Sequence, residues 1–318
     1  MTEFELIKHY FTQHTPSRND VILGIGDDAA LVSVPPNQLL AISTDTFIQG
    51  IHFPECTSAY EIGYKSLAVN LSDMAAMGAE PAWMTLALSL PAADENWLQA
   101  FAAGLFSLAN QYNIQLIGGD TTRSPVSITI SVYGFTRKDT ALRRDTAKPG
   151  DKIYVSGTLG DAGLGLQAIQ NKCTLSDADR QRAIQRLDHP IPRVELGVAL
   201  RSLATSAIDI SDGLMADLGH IAQASQVGAM INSDALPLSD LLTRNMTHEN
   251  AKILALTAGD DYELCFTIPP DKLNQLLEVE KKLQVKLTCI GKIITEQKVQ
   301  INGISADPAL AVCGFRHF

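Results

Sequence analysis

The chain has 318 residues, 46% of them hydrophobic and only 19% charged, which is enough apolar length to bury a large core and to form two domains. Its formal net charge of −10 disfavours a nucleic-acid backbone or an anionic membrane as partner, because the average surface would repel both. The N-terminus is acidic without a signal-peptide apolar stretch, and no later run is long enough to span a bilayer, so a cytoplasmic protein is expected.

Glu3 to Phe11 reads as a short amphipathic helix. Val21 to Leu23 then leads into Gly24-Ile-Gly-Asp-Asp-Ala29, formally the GxGxxA pattern of a dinucleotide loop. Such a loop sets backbone amides against pyrophosphate, and the adjacent carboxylates Asp27 and Asp28 would repel it, so cation binding is the better reading. The run Leu40 to Thr46 reads as a buried strand delivering Ser43, Thr44 and Asp45 to its end, three hard oxygen donors suited to Mg²⁺ or to an ordinary polar turn. His52 is a lone imidazole beside apolar residues, a packing or exposed position by default. Ala59 to Met77 is helical, closed by Gly78 and Pro81. Within it Ser66, Asn70 and Asp73 form one polar stripe, read either as a solvated face or as a seam carrying a ligand at Asp73.

Trp83 to Leu90 alternates as a strand, and Asp94 is placed to cap a helix whose stripe Trp97, Phe101, Leu105 and Leu108 is core. A run through Leu116 then ends in Gly119 and Asp120, and another strand follows from Ser127 to Val132. Polar, turn-rich residues 136–151 mark a domain boundary, dividing the chain into 1–137 and 138–318. In that stretch Arg143 and Arg144 read as solvated residues or as phosphate contacts. After the strand Lys152 to Ser156, the loop Gly157 to Gly165 lacks the GK[ST] ending of a P-loop and leaves a backbone nest for phosphate open. Asp209 lies inside an apolar run, while Ser211 or Asp212 could cap the helix Gly213 to Ala224. Asp260 and Asp261 follow a glycine and feed a strand; late strands follow at Lys286 to Gly291 and Lys298 to Ile301, with Asn302-Gly303 as a hairpin turn. The five cysteines have no zinc spacing and read as reduced core residues.

Apolar runs that stop at Asp28, Asp45, Asp120 and Asp212 repeat one grammar. Gathered with Asp73 and Asp209, these carboxylates would repel one another unless divalent cations lay between them. Several Mg²⁺ ions imply a polyphosphate substrate and phosphoryl transfer, in which catalysis is mostly positioning and charge neutralisation. A phosphate acceptor is already anionic, so no general base is required, and no Ser/His/Asp or Cys/His arrangement is found.

The chain resembles the thiamine-monophosphate kinases of the aminoimidazole-ribonucleotide-synthetase-like superfamily. The resemblance is carried by Gly24 to Ala29, Ile42 to Thr46, Ala68 to Gly78, Leu116 to Thr122, Ala207 to Leu214 and Gly259 to Leu264, in order across nearly the whole chain. It implies a two-domain α/β (α+β) architecture whose N-terminal domain binds ATP and Mg²⁺ and forms a homodimer, while the C-terminal domain completes the active-site cleft. It also implies ATP-dependent phosphorylation of thiamine monophosphate by direct in-line transfer, with no phosphoenzyme. By position, Asp28, Ser43, Thr44, Asp45, Asp73, Asp120, Asp209 and Asp212 resemble magnesium ligands, direct or through water. Gly119, Asp120, Arg144 and Ser211 would contact ATP, and His52, Asp260 and Phe315 would contact the thiamine substrate. Two positions depart from the family pattern: Asp260 stands where Glu is usual, and Arg316 where Asp is usual. Rival readings are another ATP-using synthetase of the superfamily and a non-catalytic nucleotide- or metal-binding protein.

Overall fold

The computed structural model describes residues 3–304. They divide into two compact units, one of residues 3–74 with 79–139 and the other of residues 75–78 with 140–304. Both mix helices with sheet, the α/β (α+β) class that the sequence implies.

In the first unit α1 (Glu3–Leu6) continues as a wider π-helical segment, Ile7–Thr12, that buries Tyr10 and Phe11. Strands β1 (Val21–Leu23) and β2 (Leu31–Val32) pair as an antiparallel ribbon. No helix follows β1, so the Gly24 to Ala29 turn lacks the helix N-terminus on which a dinucleotide loop depends. There follow β3 (Leu39–Ile48), α2 (Ala59–Ala76), β4 (Glu80–Leu90), α3 (Glu95–Gln111), β5 (Gln115–Arg123) and β6 (Ser127–Thr136). Asp94 caps α3, accepting from the amides of Asn96 and Trp97.

The sheet order is β3-β6-β4-β5, with β4 and β5 parallel and the other pairs antiparallel. Its faces separate cleanly, because side chains alternate along a strand. Met84, Leu86 and Leu88 of β4 and Ile128, Ile130 and Val132 of β6 are buried on one face. Thr85, Ala87, Ser89, Thr129 and Ser131 lie on the other, which is partly open. Helix α2 packs on the buried side and crosses α3 closely: a Cβ on Gly104 would lie 1.9 Å from the Tyr60 carbonyl oxygen, so only glycine permits this approach.

The expectation of a buried strand over Leu40 to Thr46 needs correction. β3 runs on to Ile48 and lies at the edge of the sheet, with Leu40 and Ile42 39% and 59% exposed. Apolar character alone does not say whether the covering surface belongs to the same unit.

The second unit contains β7 (Lys152–Ser156), α4 (Asp161–Ile169), α5 (Asp177–Asp188), α6 (Val194–Leu200), β8 (Ser206–Asp209), α7 (Leu214–Ala224) and β9 (Gly228–Asn232). It continues through α8 (Asp240–Asn245), α9 (His248–Thr257), β10 (Leu264–Ile268), α10 (Leu273–Leu283), β11 (Leu287–Ile294) and β12 (Val299–Asn302). The strands form one sheet in the order β12-β9-β11-β7-β10-β8, in which only β12 and β9 are parallel. Ile153, Val155, Ile208, Leu218, Ile231 and Ile290 belong to its core.

Two smaller expectations change as well. Asn302 and Gly303 close β12, which pairs in parallel with β9, so they join no hairpin among the described residues. The described cysteines are free, but only Cys265 is buried; Cys56 and Cys289 are exposed and Cys173 is intermediate.

Candidate active site

In the first unit, Ser43 and Asp45 stand two residues apart on β3 and so share the face turned toward α2. The Ser43 hydroxyl donates to the Asp73 carboxylate, which the fifth turn of α2 brings to the strand. Burial and the charge of Asp73 push the Asp45 carboxyl up to about 6. Asp73 belongs to the Ser66, Asn70, Asp73 stripe, which is not a solvated face: Ser66 and Asn70 are buried. Ser66 Oγ donates to the Gly63 carbonyl and Asn70 Nδ2 to the Ser66 carbonyl, each at 3.1 Å. Among the described residues the buried Asn70 Oδ1 receives no hydrogen bond. Helix α2 thus turns an inward polar seam toward two carboxylates and a hydroxyl. An all-oxygen, like-charged donor set of this kind fits Mg²⁺.

Other expected ligands are not gathered into this group. Thr44 points to the opposite face of the sheet, its hydroxyl bonded to that of Ser131 at 2.8 Å. Asp120 pairs with Ala87, in the row that continues through Thr129 to Thr46 on the same open face. It accepts the Thr121 amide at 2.9 Å and is exposed. Gly119 before it has φ +155°, and a Cβ there would lie 1.8 Å from the Leu86 carbonyl oxygen, so the approach of β5 to β4 admits no side chain. Asp28 stands exposed on the turn after β1, its amide held by Asp27 Oδ1 at 2.8 Å. His52 stacks on Phe47 with ring centroids 5.6 Å apart. Its Nδ1 accepts the Ile48 amide at 3.0 Å, which places the proton of the neutral ring on Nε2.

In the second unit, Asp209 is the last residue of β8 and is only 3% exposed. The loop that follows is gripped by its backbone. The amides of Ser211, Asp212 and Gly213 all donate to one oxygen of Asp217, Oδ2, each at 3.1 Å. On the other side the Ser211 carbonyl accepts from the Asp260 amide at 2.9 Å, and the Ile210 carbonyl from the Tyr262 amide at 2.8 Å. Asp260 and Tyr262 reach these bonds in left-handed conformations, φ +66° and +48°. Aspartate tolerates that region better than most residues, whereas a tyrosine there is strained. The helix-capping role open to Ser211 or Asp212 is taken by neither, since Gly213 is the cap residue and Asp217 supplies the acceptor.

Side-chain oxygens or nitrogens of Asp212, Asp217 and His220 lie within 4.8 Å of one another. Burial and the charge of Asp212 push the Asp217 carboxyl up to about 7, against the opposing effect of the three amides. Arg143 is paired with Asp145 at 2.5 Å, whereas the neighbouring Arg144 side chain is exposed. Phe315 lies outside the described residues.

The loop before α4 is not an open phosphate nest. Its Gly160 and Ala162 amides, at 2.6 and 3.5 Å, already donate to the carboxylate of Asp261. Burial pushes that carboxyl up to about 8. Two residues on, Glu263 is 1% exposed and receives the Arg193 guanidinium as a fork, Nε at 2.6 Å and Nη2 at 2.5 Å, with the Ser156 hydroxyl at 2.5 Å. Asp217, Asp261 and Glu263 were missed by the sequence reading as organising residues. For Asp217 a signal existed, an acid in the first turn of a helix that begins just after a glycine.

Residues 26–136 match the family described as AIR synthase related protein, N-terminal domain, and residues 148–304 the corresponding C-terminal domain. The thiamine-monophosphate kinase of Escherichia coli K12 is 52% identical over 295 residues, spanning 92% of this chain and 91% of that protein. The crystal structure of thiamine-monophosphate kinase from Stenotrophomonas maltophilia K279a superposes with a TM-score of 0.89 at 49% identity, covering 96% of this chain and 98% of the other. A structure of ThiL complexed with AMPPCP and TMP superposes with a TM-score of 0.79 at 32% identity, covering 92% of each chain.

Proposed function

The chain belongs to the AIR synthase related protein family, among its thiamine-monophosphate kinases, and from that premise we propose that it phosphorylates thiamine monophosphate to thiamine diphosphate with ATP. The observation that carries this reading is identity of about half over nearly the whole length of a named kinase. A relative that holds AMPPCP together with TMP supports ATP and the phosphorylated vitamin as co-substrates.

Mg²⁺ is the proposed cofactor, and its chemistry here is to neutralise polyphosphate charge. In the first unit Ser43, Asp45 and Asp73 would hold it, because they already converge and repel. Asp28 and Asp120, exposed on other surfaces, are assigned to further ions or to ion-bound water, and the Thr44 side chain is left out because it faces away. In the second unit Asp209 and Asp212 would act as ligands. Gly119 would meet the nucleotide through its backbone, Ser211 and Arg144 would meet phosphate oxygens, and His52 and Asp260 would contact the thiamine compound. A phosphate oxygen of thiamine monophosphate would attack the γ-phosphorus of ATP in line as the bond to the β,γ-bridging oxygen breaks and ADP leaves; the acceptor oxygen is already anionic, so a protein base is unnecessary.

Further features fit a homodimer. Leu40, Ile42, Ile22 and Leu31 expose 39%, 59%, 73% and 54% of their surfaces on the edge strand and ribbon of the first unit, where a second copy would cover them. No described helix is long and apolar enough to cross a membrane, and a cytoplasmic location is proposed on the family's account. The test is thiamine diphosphate formation from ATP and thiamine monophosphate by the purified chain, with and without Mg²⁺. Strictly Mg²⁺-dependent product is expected; ATP binding without product from this acceptor would overturn the assignment.

A further inference from the structure

We propose that Asp217 is a positioning residue, whose carboxylate fixes the loop Ser211 to Gly213 and so presents Ser211 and Asp212 to Mg²⁺ and ATP. The inference rests on the function proposed above, but its geometry stands apart from it. One oxygen, Oδ2, collects three consecutive backbone amides at 3.1 Å each. Three successive N–H groups aimed at one point form a concave anion site, of the kind that elsewhere takes a phosphate or carboxylate ligand. Here the chain supplies the anion itself, from the first turn of α7.

The same loop is held on its carbonyl side by the amides of Asp260 and Tyr262, at 2.9 and 2.8 Å. A Cβ on Gly259 would lie 2.3 Å from the Ser211 carbonyl oxygen, so the strand-side segment sits directly against the loop. Backbone donors go to Asp217 and backbone acceptors to residues 260–262. The loop therefore has its conformation set from both sides, and what it has left to present is side chains. Asp217 is 3% exposed, so its role is to hold the loop from within. Partners of this kind orient metal-binding residues, and removing one typically lowers metal affinity or activity by about 10- to 100-fold.

The experiment compares the full chain with Asp217→Ala, Asp217→Asn and Asp217→Glu. Asp217→Ala removes the acceptor. Asp217→Asn keeps an acceptor oxygen in place without the charge, and Asp217→Glu keeps the charge but moves the oxygens by a methylene. Three quantities are read: the Mg²⁺ concentration at half-maximal turnover, calorimetric affinity for Mg·ATP, and hydrogen exchange of the 211–213 amides. For Asp217→Ala and Asp217→Glu we expect a 10- to 100-fold rise in the Mg²⁺ requirement, weaker Mg·ATP binding and faster exchange at these amides. For Asp217→Asn we expect rescue to within about threefold.

Normal Mg²⁺ dependence in a folded Asp217→Ala, or Asp217→Asn as impaired as Asp217→Ala, would overturn the proposal. Should Asp217→Ala fail to fold, Asp217→Glu decides by the same criteria. If the unaltered chain makes no thiamine diphosphate, the functional reading fails, while Mg·ATP calorimetry and exchange still test the positioning role.

Discussion

Two groups of carboxylates, one in each unit, are treated in opposite ways. Asp45 and Asp73 face each other across β3 and α2, where the charge of Asp73 raises the Asp45 pKa and the Ser43 hydroxyl donates to Asp73. Asp217, Asp261 and Glu263 instead receive backbone amides or an arginine fork. An acid held by amides or a guanidinium has a settled structural task, whereas two acids that repel one another are poised for a cation. Buried carboxylates of one residue type thus divide into architecture and site by what their oxygens receive.

The comparison breaks most easily at Asp73. Asp73→Asn is expected to lower turnover by about 10³-fold and to raise the melting temperature measured without Mg²⁺, because it removes a repulsion. Loss of activity with a lowered melting temperature would make Asp73 an architectural acid. Glu263→Ala should do the reverse, leaving the Mg²⁺ requirement unchanged while costing about 3–5 kcal/mol of stability in denaturant unfolding, the usual result of stranding a buried charge. A small stability loss accompanied by a changed Mg²⁺ requirement would erase the distinction.

A third test uses pH. The folded-state pKa of Asp45 is raised, from an ordinary carboxylate value to about 6. The folded chain therefore binds the extra proton, and the associated stability is present at low pH and lost as pH rises through about 4 to 6, up to about 3 kcal/mol. Mg²⁺ titrated at pH 5.5 should release protons, visible as a buffer-dependent heat in calorimetry. The Asp45→Asn variant should lose that part of the signal. Proton release identical in the two proteins would remove Asp45 from the cation site.

The smallest effect concerns the two faces of β3. Ser43→Ala should raise the Mg²⁺ requirement by roughly 10-fold, while Thr44→Val, on the other face, should leave it within about twofold. Equal effects in a Mg²⁺ titration would mean that both faces serve the ion.

Much of this was legible in the chain. The helix stops at Gly78 and Pro81, the Asp94 cap and the alternation of β4 are local signals, and each reappears in place. Asp73 was legible as an oddity, since a polar stripe of Ser, Asn and Asp suits a solvated helix poorly. Burial of Ser66 and Asn70 was not, because their partners are backbone carbonyls of their own helix, invisible to composition. The separation of Thr44 from Ser43 and Asp45 follows from strand periodicity once the strand extends to Ile48, and was obscured by reading these residues as a strand end. The occupied nest before α4 depends on Asp261, about a hundred residues away, a pairing that a local motif cannot disclose.

The order of strands in the second unit also has a consequence in time. β7 is flanked by β10 and β11. The amide of Leu264, which opens β10, donates a hydrogen bond to the Ser156 hydroxyl at a sequence separation of 108 residues. At the ordinary pace of synthesis, about 5–20 residues per second, β7 leaves the ribosome roughly 5–20 seconds before either neighbour exists. Through that interval an apolar strand is open along both edges, which is when capture by another nascent chain competes with folding. The yield of soluble protein should therefore respond to translation rate and holdase chaperones more strongly than the stability of the finished sheet suggests.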